Sequence, residues 1–212
     1  MSYAGAKTGL WFRDARTGWV GQTGQGQASL WFSSDGGSDW QEEKLPAPPA
    51  GWNPSARVVA GVPAVFPDDT GAVVVATVSP PSAGAPTVSA YTYTTADGGR
   101  TWSDPRPLPQ AASAGPVFLG PSSVAIPSGR QWWYGAGPVL YLTEDAGAHW
   151  RELRSAPTGF RFTSIQGVDG SQAWALATRI TDCRQAGPCR SAATELVRVD
   201  EGGRQLSIVK LP

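Results

Sequence analysis

The sequence is poor in the side chains that build most metal and redox centres. Its 212 residues include two cysteines, one histidine and one methionine. A zinc site of Cys and His ligands is therefore not expected: His149 lies inside a turn motif, and Cys183 and Cys189 have only each other. Charge is also scarce. Charged residues make up 16%, and 17 basic residues balance 17 acidic ones. A neutral chain has no overall pull toward nucleic acid or an anionic membrane surface. No apolar run approaches the ~20 residues of a membrane-spanning helix, and helical periodicity is missing throughout. There is no phosphate-cradling glycine loop, nucleophile elbow or zinc spacing. The expectation is a chain with no cofactor, no metal, no nucleic-acid partner and no membrane span.

What is present is turn chemistry. With 26 glycines and 19 prolines the composition is that of a turn-rich β protein. Four stretches share one local pattern: SSDGGSDW (Ser33 to Trp40), TADGGRTW (Thr95 to Trp102), TEDAGAHW (Thr143 to Trp150) and the decayed RVDEGGRQ (Arg198 to Gln205). Asp35, Asp97, Asp145 and Asp200 can each accept backbone N–H bonds of their own turn. Gly37, Gly99, Gly147 and Gly202 can supply the positive φ of a tight hairpin. Trp40, Trp102 and Trp150 can fold back over it; Gln205 takes that place in the fourth copy. Because the same residues recur in every copy, a structural role is expected for these aspartates rather than catalysis.

Each motif sits in a longer unit that reads strand, turn, strand, loop, strand, Asp turn, strand. Successive aspartates are 62, 48 and 55 residues apart. Four-stranded antiparallel units of this length are the blades of a β-propeller. The expected fold is an all-β propeller forming one domain over residues 1–212, with four blades near 8–46, 58–109, 116–157 and 159–212. Within it, Trp132-Trp133-Tyr134 reads as core plus one interface ring, since adjacent strand residues face opposite sides. Asp68-Asp69 before Thr70-Gly71 reads as a turn rather than a calcium pair.

The turn resembles the Asp-box, or BNR repeat, of sialidases, sortilin-type receptors and secreted glycan-active propellers. The upstream strand TGWVG makes the chain similar to the photosystem II stability/assembly-factor propellers as well. The resemblance covers nearly the whole chain and implies fold more than function, because those families include hydrolases, receptors and assembly factors. Relatives usually carry six or more blades, and here the strands run in phase from first to last. The resemblance thus leaves open a small ring, a piece of a larger propeller, or a homo-oligomer that completes the ring. Sialidase chemistry would imply an arginine cluster, a Tyr–Glu nucleophile pair and an early Phe/Tyr-Arg-Ile-Pro motif. The nearest string, FRFT (Phe160 to Thr163), comes late and lacks the proline.

Loop order divides the charges. Loops joining strands 1–2 and 3–4 of a blade share one side and hold the Asp turns. The other side receives Arg57, Arg161, Arg179, Arg184 and Arg190, together with Trp52 on a long loop and only Asp182 against them. Such a side can hold a carboxylate, a phosphate or an acidic protein segment; the same arginines can equally be scattered and solvated. Cys183 and Cys189 are spaced for a small disulfide-closed loop, which points to an oxidising compartment. The expected role is a non-catalytic, extracytoplasmic bacterial module that docks a protein, glycan or anionic partner. The alternatives are a glycan-active hydrolase or a fragment of a larger propeller.

Overall fold

A computed structural model describes residues 5–47, 54–79, 87–109, 123–182 and 190–210. The chain divides into two compact units, Met1–Leu108 and Pro109–Pro212. Apart from single-turn 3-10 segments, every regular element among the described residues is a β-strand, and every pairing is antiparallel.

The first unit holds two meanders. Strands β1 (Lys7–Phe12), β2 (Gly18–Gln25), β3 (Ser29–Ser33) and β4 (Gln41–Lys44) pair in sequence. The second meander is β5 (Arg57–Ala60), β6 (Ala64–Val65), β7 (Gly71–Ser79), β8 (Thr87–Thr95) and β9 (Arg106–Pro107). Both β5 and β6 pair with β7, so the first strand of this blade is broken in two. Pro63 lies at the break and has no N–H to give the ladder. Strand β2 outruns its partners, and its last residues pair with β5, Thr23 opposite Val59 and Gln25 opposite Arg57. The two meanders therefore form one nine-stranded sheet.

Period-2 alternation decides what this unit buries. Trp19 and Leu30 point from the first blade into a cluster with Val58, Val65, Val73, Val75, Tyr93 and Trp102 of the second.

The second unit has two separate four-stranded sheets. One contains β10 (Val124–Ala125), β11 (Trp132–Ala136), β12 (Val139–Thr143) and β13 (Arg151–Ser155). The other contains β14 (Phe160–Gly167), β15 (Ala173–Asp182), β16 (Arg190–Asp200) and β17 (Gln205–Val209). Trp133, Leu140 and Leu142 meet Phe160, Phe162, Ile165, Ala175 and Val197 in its core. Small alanines on β15 admit the large rings opposite them. Trp132 takes the other face of its sheet, packs beside Trp150 and is fully buried.

Candidate functional site

Three of the four Asp turns are built from the same bonds. The hydroxyls of Ser33, Thr95 and Thr143 each donate to the aspartate two residues on, at 2.8 Å. Each hydroxyl also accepts the N–H of the glycine four residues on: Gly37 at 2.9 Å, Gly99 at 2.9 Å and Gly147 at 3.0 Å. The carboxylates then accept the backbone at the far side of the turn. Asp35 takes the N–H of Asp39 at 3.0 Å, Asp97 those of Arg100 and Thr101 at 3.0 and 2.9 Å, and Asp145 that of His149 at 2.8 Å. These bonds hold the carboxyls below the ordinary range. Asp97 is lowered to about 2, chiefly by the Thr101 hydroxyl and backbone. The glycines have φ of 89°, 82° and 79°, in the left-handed region. Gly99 and Gly147 lie directly under the buried rings of Trp19 and Trp132, where a Cβ would collide.

The fourth turn departs from the expected register. Its glycine under a neighbouring side chain is Gly203, packed on Leu153, rather than Gly202. Its left-handed run is one residue longer, through Glu201, Gly202 and Gly203 at 53°, 61° and 87°. The carboxylate of Asp200 accepts from Arg198 Nε at 3.0 Å, and none of the described backbone N–H groups of its own turn donates to it. Position 198 is arginine where the other turns have serine or threonine, so the bridging hydroxyl is missing.

Each turn is stapled to the first turn of its own blade by one backbone bond. Gly36 N–H donates to Arg16 O at 2.8 Å, Gly98 to Asp69 O at 2.8 Å, Ala146 to Arg130 O at 2.9 Å and Gly202 to Ser171 O at 2.9 Å. Asp68 accepts Thr70 N–H at 3.1 Å and so closes its turn. Asp69 instead accepts Arg13 Nη1 at 2.8 Å from the neighbouring blade. Among the described residues no group of three or more His, Cys, Asp or Glu is placed to hold a metal ion.

The arginines singled out from the sequence lie at the other ends of their sheets. Arg57 starts β5 opposite Val78 at the end of β7, whereas the Asp97 turn follows the pairing of Thr95 with Gly71. In the fourth blade Arg161 is opposite Thr178, Arg179 opposite Phe160 and Arg190 opposite Asp182, while the Asp200 turn follows the pairing of Val199 with Ala173. Arg161 and Arg179 are neighbours on the ladder but project to opposite faces of the sheet. The Arg179 guanidinium stacks 4.7 Å over the Phe160 ring. Trp52, Arg184, Cys183 and Cys189 lie outside the described residues.

A depression of about 750 Å³, open to solvent, lies at the Asp-turn end of the second unit, with Gln131, Glu144, Arg151, Asp169, Glu201 and Arg204 on its walls. Asp169 is spent on its turn, accepting Ser171 N–H at 2.6 Å and Gln172 N–H at 2.8 Å, which lowers its pKa. Arg151 donates to Gly202 O at 3.1 Å.

A family profile described as a BNR repeat-like domain matches residues 15–168. The chain belongs to this family. The GH74 xyloglucanase of Xanthomonas campestris superposes with a TM-score of 0.54 at 16% identity, over 97% of this chain and 31% of that one. The present chain thus spans less than a third of the enzyme. YCF48 bound to D1 peptide gives a TM-score of 0.44 at 14% identity, over 98% of this chain and 82% of that one. No sequence among the curated proteins matches the chain. At such identities the likeness concerns fold, and the fold is that of a β-propeller with Asp-box turns. The matched span ends before the fourth BNR turn, the one with the shifted register.

Two features of this BNR chain were not read from its sequence. One is the bridging hydroxyl of Ser33, Thr95 and Thr143; its recurrence in the motif was the available signal. The other is Glu43 on β4, which points into the seam between the first two blades. Burial pushes its carboxyl up to about 7; the indole of Trp102 opposes this and the charge of Asp97 adds to it. Glu43 Oε2 and Trp102 Nε1 are both buried, and the indole N–H is near the carboxyl without a hydrogen bond of good geometry between them. No sequence signal marks Glu43, because Gln41-Glu42-Glu43-Lys44 reads as a solvated edge strand.

Proposed function

We propose that this chain is a non-catalytic docking module, extracytoplasmic and bacterial, that holds an acidic segment of a protein partner at the arginine end of its fourth blade. The observation that carries this reading is how the carboxylates are used. Asp35, Asp97 and Asp145 are locked as ionised hydrogen-bond acceptors inside their turns. A glycoside hydrolase needs one carboxyl kept protonated as general acid and open to substrate; Asp169 in the open depression is held the other way, and Glu43, whose carboxyl is raised, has Oε2 buried beside Trp102. Arg161 and Arg179, by contrast, stand at the sheet end opposite the Asp turns and have no carboxylate partner among the described ion pairs. Arg179 is exposed and Arg161 half-buried; at the strand end, where the two project to opposite faces, each guanidinium offers a paired N–H fork to a carboxylate.

The test is fluorescence polarisation with a labelled oligoglutamate peptide, and an oligolysine peptide as control. Binding of oligoglutamate alone is expected, weakening as salt is raised because exposed charges are screened over about 10 Å at 0.1 M. Arg161→Ala with Arg179→Ala should weaken it by about tenfold or more at unchanged far-UV circular dichroism. Affinity indifferent to salt and to the double substitution would overturn the reading.

A further inference from the structure

Each blade ends on a strand that pairs on one side only among the described residues: β4, β9, β13 and β17. An open edge is a template for another chain, and proteins ordinarily blunt it with charge, proline or brevity. Three of these edges are blunted. Strand β4 carries Glu42, Glu43 and Lys44, and β13 carries Arg151, Glu152 and Arg154. Strand β9 is two residues long and ends on Pro107. The fourth edge is not blunted. Strand β17, QLSIV, has neither charge nor proline over its five residues, and its Ile208 is 50% exposed.

An apolar notch lies beside this edge. Leu206 and Ile208 stand opposite Val199 and Val197, on the face of the sheet that packs into the core of the second unit. Val197, Leu206, Ile208 and Pro157 line a cleft of about 260 Å³, with Arg154 and Ser155 from the end of β13 beside them. Arg154 is exposed, and none of the described ion pairs takes it up. We propose that β17 is a docking edge, which accepts an extended segment of a partner protein as a fifth strand of the fourth blade. One apolar side chain of that segment fills the notch, and an acidic side chain two residues away, on the same face, meets Arg154. Main-chain bonds along the edge supply affinity, while the notch and the guanidinium select the segment. A second copy of β17 is the poorer occupant. It is flanked by Arg204 and Lys210, so antiparallel self-pairing sets cation against cation and brings Arg154 no carboxylate. The site uses neither Arg161 nor Arg179.

The probe is a fluorescein-labelled peptide of sequence TTITDTT, capped at both ends, whose isoleucine and aspartate share one face of a strand. Fluorescence polarisation should show saturable binding that falls by about tenfold or more with Ile208→Glu at an unchanged far-UV spectrum, since that side chain is already half solvated. Arg154→Glu should weaken it by about threefold or more, and a TTITKTT peptide should prefer this variant to the wild type, a reversal that a merely structural Arg154 would not give. Methylating the peptide N–H groups at alternate positions reads strand addition itself. One alternate set should abolish binding and the other leave it, because only every second N–H faces the edge. No saturable binding, equal affinity of the two methylated sets, or affinity unmoved by Ile208→Glu would each overturn the proposal. So would a loss caused by Arg161→Ala with Arg179→Ala, by moving the peptide to the sheet end. A chain that sediments as a dimer until Ile208→Glu is introduced would overturn the choice of occupant in favour of a second copy. Binding at Arg161 and Arg179 is read separately with oligoglutamate, so either reading can fail without the other.

Discussion

Replacing Asp97 by alanine removes the acceptor around which the second Asp-box turn closes. Its carboxylate receives the N–H groups of Arg100 and Thr101 and the hydroxyls of Thr95 and Thr101. Arg100 and Thr101 are exposed, so water can take over their N–H groups, and the loss belongs at the lower part of the range for hydrogen bonds to charged groups, about 1–2 kcal/mol in total. For a chain of this length that lowers the melting temperature by about 2–8 °C. Asp200→Ala is the internal control: its carboxylate holds only the half-exposed Arg198, a pair worth at most ~0.5 kcal/mol. The two melts should differ clearly. The Asp97 effect should also depend on pH. Its folded-state pKa is lowered to about 2, below the unfolded value, so its contribution is present above the ordinary carboxylate range and is lost as pH falls through about 2. Equal shifts for the two substitutions, or an unchanged melt for Asp97→Ala, would refute the account of the turn.

Three further outcomes are expected. Gly99→Ala places a Cβ 2.8 Å from the buried Trp19 ring at a φ of 82°, and should cost about 3 kcal/mol from backbone strain and overpacking together; Gly137→Ala, at 59° with open space around it, should cost about 1 kcal/mol, both read by urea titration. Glu43 has its folded pKa raised from 4.5 to about 7, so the folded state keeps a proton that the unfolded chain has released. Stability should therefore fall as pH rises across that window, and Glu43→Gln should gain on the wild type over the same window; parallel stability curves would contradict the buried placement of this carboxyl. Cys183 and Cys189 are expected to form a disulfide, seen as resistance to alkylation until reductant is added. Two alkylated thiols in the unreduced protein, by intact mass, would remove the disulfide and with it the support for an extracytoplasmic location.

The Asp-box turns were legible because their physics is local. Every bond that closes the turn at Asp35, Asp97 or Asp145 joins residues no more than four apart, so Ser/Thr, Asp and Gly at fixed spacing carry the instruction. The repeat spacing then pointed to four antiparallel blades, and alternation told that Trp132 and Trp133 face opposite sides. What the spacing could not carry is any choice made across the fold. The fourth turn, which lacks the local hydroxyl bridge, takes its register from Gly203 lying on Leu153, about fifty residues away. Strand β2 joins the second meander through Thr23, Gly24 and Gln25, which run past β3 and pair with β5 more than thirty residues away. Glu43 becomes a buried carboxyl only when β4 is laid beside Trp102, and Leu10 and Leu176 are exposed although the opposite faces of their sheets are packed. A hydrogen bond within a turn is specified by neighbours in sequence, whereas burial is specified by neighbours in space.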